Sequence, residues 1–212
     1  MSSIITLSSE GHSKTEVKQS VFIGAAVRVD DPDSAIRFVD GQRDLYPDAK
    51  HTVYAWRVSG DQFMQKYSDD GEPQGTAAMP ILTLIDRAGI TNVAVAVTRY
   101  FGGILLGKGG LVRAYTDCAK LALTDSHPVE LVKGISIGIT VPYQLSDRLR
   151  FELMNLPCEI KDTIYLQDVR FIVDISADDL DRISSAVTDI TGGVALIDKI
   201  GEVLIRGREI SL

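Results

Sequence analysis

A glycine-rich stretch gives the first hint of chemistry. Gly102-Gly103-Ile104-Leu105-Leu106-Gly107-Lys108-Gly109 nearly reproduces G-x-x-x-x-G-K-[ST], the loop whose backbone N–H groups cradle phosphates. It also falls between a predicted strand and a predicted helix, as that loop requires. The last position fails, because Gly109 has no hydroxyl for Mg²⁺, and no second acidic strand motif accompanies it. The dinucleotide version fails as well, with Val112 in the third glycine position. A weaker reading survives. Gly102, Gly103, Lys108, Gly109 and Gly110 would present free N–H groups at a helix N-terminus to an anion. The alternative is a tight connection and nothing more. Just upstream, Arg99-Tyr100-Phe101 mixes cationic and aromatic groups that can stack on bases or grip a peptide. Equally, Phe101 could be core and Arg99 surface. Arg113 falls in the first turn of the following helix, where a cation opposes the dipole. It calls for a partner, either a bound anion or a carboxylate from a neighbouring loop.

The second candidate is Asp69-Asp70-Gly71-Glu72-Pro73-Gln74-Gly75-Thr76, with three carboxylates in four residues just before a helix. Such a group can hold a divalent metal or form an acid/base pair. It also describes a solvated turn beside a positive helix end. With no His or further acidic cluster beside it, the structural reading is favoured. Placed near Arg99 and Arg113, this loop would be their internal counterion. His51 could titrate, but a lone His is more often structural. His12, His51 and His127 lie far apart, and neither Cys118 nor Cys158 has a neighbour at metal-ligand spacing. No G-x-S-x-G elbow is present. No catalytic residue, metal or cofactor is assigned.

The elements that must position these residues follow from periodicity. Residues 17–29 read as a strand or bent strand pair. Asp30 to Ser34 is a turn into a helix with Ala35, Ile36, Phe38, Val39 and Leu45 on its apolar face. Residues 52–58 are a strand, and residues 66–71 end in a turn. Thr76 is the expected N-cap of a helix carrying Ile81, Leu82, Leu84, Ile85 and Ala88, stopped by Gly89. Residues 92–101 form a Val-rich strand. A helix then starts near Gly110 with Leu111, Ala114, Tyr115, Cys118, Ala119 and Ala122 on one face. From Lys133 the pattern resets as strand 134–141, helix 144–155, strands 158–165 and 168–176, helix 178–191 and strand 194–206. That order, βαββαβ, is the ferredoxin-like unit. The expected fold is α+β in two domains, residues 1–131 and 132–212.

Composition narrows the classes. The 212 residues are 45% hydrophobic and 24% charged, ordinary globular proportions. The net charge of −7 argues against coating nucleic acid or anionic membrane by charge alone. Yet residues 87–116 contain no Asp or Glu while Arg87, Arg99, Lys108 and Arg113 supply +4. No apolar stretch is long enough to span a bilayer, and the start lacks the pattern of a signal peptide. A cytoplasmic protein without membrane contact is expected.

Read together, Ser68-Asp-Asp-Gly-Glu-Pro-Gln-Gly-Thr-Ala77, Pro80-Ile-Leu and Val97-Thr-Arg-Tyr-Phe-Gly-Gly-Ile-Leu-Leu-Gly-Lys-Gly-Gly-Leu-Val-Arg-Ala-Tyr115 resemble the signature of the IMPACT/YigZ family. Val17-Lys-Gln-Ser-Val-Phe-Ile resembles its opening strand, and His51 matches the histidine before its second strand region. The resemblance spans about residues 15–125. The later stretch is similar to the second domain of bacterial YigZ-type members. Trp56 replaces the usual tyrosine near the end of the His51 strand, and Lys108 stands where many relatives have Thr. The resemblance implies an N-terminal domain similar to domain IV of the ribosomal translocase and a C-terminal one similar to its domain V. Eukaryotic members regulate translation under amino-acid starvation by competing for the coactivator of the starvation kinase. The implied function is a non-catalytic binding protein in translation or stress response, with RNA, the ribosome or a translation-related protein as partner. The alternative is a metal-assisted enzyme acting on a phosphorylated small molecule, with Asp69, Asp70 or Glu72 at its centre.

Overall fold

The structure is a computed structural model that describes residues 4–59 and 63–212. The opening residues 1–3, part of the start read as lacking a signal peptide, lie outside the described residues. The described chain divides into two units, 4–130 with 208–212, and 131–207.

In the first unit the chain runs β1 (Ile4–Leu7), β2 (Gly11–Val17), β3 (Ser20–Arg28), α1 (Pro32–Leu45), β4 (His51–Val58), β5 (Met64–Ser68), α2 (Ala78–Arg87), β6 (Val93–Tyr100) and α3 (Gly107–Asp125). Five strands form an antiparallel sheet in the order β2-β3-β6-β4-β5. The central strand is β6, which explains its unbroken run of apolar residues. Val93, Val95 and Val97 face a core shared with α2 and α3, and Ala94 faces a smaller cluster with Ala35 and Trp56. A strand covered on both faces has no polar side to alternate. Residues 17–29 hold the turn and second strand of a hairpin whose first strand is β2; the two-residue turn is Lys18 and Gln19, at φ +47 and +67. Both positive angles are what a type I′ turn needs. The strand β2 was missed, because Gly11-His-Ser-Lys-Thr-Glu-Val17 carries no apolar alternation.

Two helix ends differ from expectation. The helix α3 starts at Gly107 rather than near Gly110. Glycines are poor helix formers, but the packing that begins at Leu111 carries the preceding turn along. Its predicted apolar face, from Leu111 to Ala122, is buried throughout. In α1 the buried residues are Ala35 and Val39, whereas Ile36 and Leu45 are exposed.

The start of α1 is a capping box. Asp31 Oδ1 accepts from the Ser34 N–H at 2.6 Å, and Ser34 Oγ accepts from the Asp31 N–H at 3.3 Å. The Ser34 N–H holds the Asp31 carboxyl below its ordinary value of 3.8. Its contribution is therefore full above that unfolded-state value and is lost as pH falls through the lower folded-state one. Thermal melts between about pH 5 and pH 2 should show a smaller acid loss for Asp31→Asn than for the parent. Parallel curves would remove the cap from the acid response.

The second unit runs β7 (Pro128–Val141), α4 (Tyr143–Leu153), β8 (Cys158–Tyr165), β9 (Val169–Ser176), a 3-10 turn (Ala177–Asp179), α5 (Leu180–Thr191) and β10 (Leu196–Glu209). The strand order β10-β7-β9-β8 gives the fourth, first, third and second strands of the ferredoxin-like βαββαβ unit. One sheet face, with Ile137, Ile139, Phe171 and Val173, packs on Leu149 and Leu153 of α4 and on Ile183 and Val187 of α5. The first and last strands of this unit are longer than the sequence suggests. β7 begins at Pro128, and β10 continues to Glu209, where the chain has returned to the first unit. There the Ile210 N–H donates to the Pro128 carbonyl at 2.8 Å, and Leu212 packs on the first core. No helix among the described residues is long and apolar enough to cross a membrane.

Candidate functional site

The end of β6 organises the site. Register places Arg99 directly opposite Phe22 on one side and His51 on the other. Arg99 is only 6% exposed, so its charge must be answered inside the protein. Glu72 supplies the answer. Arg99 Nη1 donates to Glu72 Oε1 at 2.6 Å, and the Tyr115 hydroxyl donates to the same oxygen at 2.7 Å. Arg99 Nη2 reaches Ser20 Oγ at 3.4 Å, and its Nε has no acceptor. The guanidinium lies between the rings of Phe22 and Phe101, at 5.5 and 5.4 Å. Phe22 in turn meets Tyr115 edge-on at 5.1 Å. Burial, and then the bond to Glu72, push the Tyr115 phenol well above its ordinary value, so it stays a neutral donor.

The other two carboxylates of the 69–76 loop hold backbone. Asp69 Oδ1 accepts from the N–H groups of Ala77 and Ala78 at 3.1 and 2.8 Å, and Oδ2 accepts from Gly75 at 2.8 Å. Asp69 is thus the cap of α2. Thr76 is not, since its hydroxyl donates to the Pro73 carbonyl at 2.6 Å and Ala77 is the N-cap residue. A carboxylate eight residues upstream of Ala77 leaves no local pattern to read. Asp70 Oδ2 accepts from the Thr52 N–H at 2.7 Å, and Oδ1 pairs with Arg43 at 3.2 Å. The carbonyl of Asp70 lies 2.7 Å from His51 Nδ1, which therefore donates to it. Gly75, at φ +75, is exposed.

The glycine loop divides in two. Gly102 is locked, its N–H donating to Ser20 Oγ at 3.1 Å. Gly103, Lys108 and Gly109 are exposed, Tyr100 and Gly110 partly so. Leu106, at the N-cap of α3, gives no side-chain cap, and the first turn holds no acidic residue. Arg113 departs from expectation. It is exposed, its Nε donates to the Gly109 carbonyl at 3.3 Å, and among the described residues it has no carboxylate partner. With the helix starting at Gly107, Arg113 sits a turn further along it than the sequence suggests. The counterion role of that loop holds for Arg99 and fails for Arg113.

A cleft of about 440 Å³ joins part of this set. Glu72, Arg99, Phe101 and Lys108 line it, with Lys50, His51 and the apolar Leu105, Leu106 and Leu111. Asp69, Asp70, Gly75, Thr76 and Arg113 do not. Sequence reasoning missed Ser20, Phe22, Lys50 and the apolar wall. It also placed Tyr115 in the core without its hydroxyl bond to Glu72. Among the described residues, no three His, Cys, Asp or Glu side chains are grouped to hold a metal.

Comparison with known proteins adds the lineage. The Impact N-terminal domain matches residues 18–123, the stretch that builds this cleft. A Haemophilus influenzae protein described as an IMPACT family member is 31% identical over 192 residues, covering 88% of this chain and 93% of its own.

The chain belongs to the IMPACT family.

Its second unit carries a domain of unknown function (DUF1949) over residues 139–194. The IMPACT family member YigZ of Escherichia coli is 43% identical over 110 residues, covering 51% of this chain and 54% of its own. A solved structure titled as the crystal structure of a hypothetical protein superposes with a TM-score of 0.59 at 29% identity, covering 94% of this chain and 98% of its own. The two-domain α+β fold therefore has a solved relative over nearly the whole chain. Within the family signature, Glu72, Arg99 and Tyr115 form a single buried contact set.

Proposed function

We propose that this IMPACT family member is a non-catalytic, cytoplasmic binding protein of translation or the stress response, docking on structured RNA of the ribosome. One observation carries the non-catalytic part. Every carboxylate of the signature loop is committed to a structural bond: Asp69 to the start of α2, Asp70 to Thr52 and Arg43, Glu72 to Arg99 and Tyr115. None is left to hold a metal or move a proton. The binding part rests on what stays exposed. Lys108 and Arg113 project from the acid-free segment, Phe101 is 48% exposed and Leu105 83% exposed. Lys108 shares the cleft with the half-exposed Phe101, and a cation beside an aromatic ring suits a phosphate backbone with an unstacked base. Arg99, neutralised by Glu72, is scaffold for this surface.

The test is ribosome co-sedimentation across a salt series. Binding should weaken steadily as salt rises, and Lys108→Ala with Arg113→Ala should lower the logarithmic salt slope by about 1 per cation removed. Absent or salt-independent binding would sink the proposal.

A further inference from the structure

We propose that the cleft of the first unit receives a phosphate monoester carried by a nucleotide, either the phosphorylated end of an RNA strand or a free mononucleotide. The choice of a nucleotide rests on the RNA-binding reading. The demand for a terminal phosphate comes from the cleft itself.

Charge is the first argument. Lys50, Arg99 and Lys108 line the cleft against one carboxylate, Glu72, so its formal charge is +2 with His51 neutral. Glu72 does not repel an anion strongly, because Arg99 Nη1 and the Tyr115 hydroxyl both donate to its Oε1. Lys50 and Lys108 are exposed, and among the described residues neither has an ion-pair partner. The N-terminus of α3 adds to them. Gly107 and Lys108 open that 19-residue helix in the wall of the cleft, and Leu106 gives no side-chain cap. The N–H groups of the first turn have no partner inside the helix, and such an end attracts an anion. Arg99 supplies an independent sign. It is 6% exposed, its buried Nε has no acceptor, and its Nη2 has only the 3.4 Å contact to Ser20. A buried N–H is nearly always bonded. An anion in the cleft therefore meets a guanidinium with donors to spare.

The rest of the lining selects among anions. A carboxylate carries one charge and leaves a cation unanswered. A phosphate monoester carries about −1.5 to −2 at neutral pH and offers three acceptor oxygens. A phosphate inside an RNA strand carries only one charge, so the end of a strand suits the cleft better than its interior. Leu105, Leu106 and Leu111 form an apolar wall, and Phe101, about half-exposed, offers its ring to a base of any identity. Inorganic phosphate would use none of that wall. The volume of about 440 Å³ lies within the range of small-molecule sites.

The experiment is isothermal titration of the full chain at fixed salt. The probes are adenosine monophosphate, inorganic phosphate and a single-stranded hexanucleotide made with a 5′-phosphate, a 3′-phosphate or neither. One of two preferences is expected, each about tenfold or more: the mononucleotide over inorganic phosphate, or a phosphorylated strand over the unphosphorylated one. A preference confined to the mononucleotide marks a free nucleotide as the source, and one seen in a strand marks an RNA end. Lys50→Ala should reduce the preference about fivefold or more. Arg113→Ala, outside the cleft, should weaken all three strands alike. Equal binding of the three strands, with the mononucleotide no tighter than inorganic phosphate, overturns the proposal. So does a preference that Lys50→Ala leaves intact. Salt-dependent ribosome binding beside either of those results keeps the RNA reading and removes only the terminal phosphate. Mononucleotide binding without ribosome binding does the reverse.

Discussion

Glu72→Ala is expected to lower the unfolding free energy by about 3–5 kcal/mol, read as a shift of the urea midpoint at unchanged m-value. The size follows from what the substitution leaves behind. Glu72 and Arg99 side chains are 4% and 7% exposed, so the pair is largely withdrawn from water even though it lines the cleft. Removing the carboxylate strands a guanidinium whose Nε already lacks an acceptor and whose Nη2 has only a long contact to Ser20. It also frees the Tyr115 hydroxyl inside the core. Tyr115→Phe alone should cost about 1 kcal/mol, because it deletes one donor and strands no charge. Replacing both ions with apolar residues, Glu72→Leu with Arg99→Met, should recover much of the loss. That recovery separates the cost of an unpaired charge from the net worth of the pair. If Glu72→Ala moved the midpoint no more than a surface substitution, the contact would not be what ties the acidic loop to β6 and α3.

Gly102→Ala is expected to cost about 3 kcal/mol, at the upper end of what overpacking exacts. A Cβ at Gly102 would stand 2.1 Å from the carbonyl carbon of Gln19, 2.2 Å from its oxygen and 2.4 Å from the nitrogen of Ser20. All three are backbone atoms of the β2–β3 turn, so no rotamer change relieves the clash. The same shift would break the Gly102 N–H bond to Ser20. Gly109→Ala is the contrast. It meets nothing within 4 Å and lies in α3, so alanine should be neutral or stabilising by up to about 1 kcal/mol. Thermal melts of the two variants check the division. Equal melting temperatures would mean the close approach at Gly102 relaxes cheaply.

What could be read in advance followed the strength of the local signal. The α3 face was legible because Leu111, Ala114, Tyr115 and Cys118 repeat with helical spacing. The second unit was legible in outline because its strands and helices alternate with clear turns. The early strand β2 was not, because its residues are half-exposed and polar. The site was legible as a set of segments, since Glu72, Arg99, Phe101 and Lys108 do converge on one cleft. The pairings inside it were hidden. That Glu72 rather than Asp70 meets Arg99, and that Asp69 caps α2, depends on a loop folding back on itself. Asp70, at φ +46, and Gly71, at φ +87, make that reversal. Of the two partners open to Arg113, the carboxylate is not found among the described residues, where its Nε donates to the Gly109 carbonyl instead.

The return of residues 208–212 to the first unit bears on how the chain is made. Those residues are synthesised after the whole second unit, yet Ile210 bonds to Pro128 and Leu212 covers part of the first core. Until they are made, the first unit lacks the Ile210 bond to Pro128 and the cover of Leu212. The ferredoxin-like unit is in effect an insertion within the first unit, and residues 208–212 can join their partners only after the insertion has been synthesised.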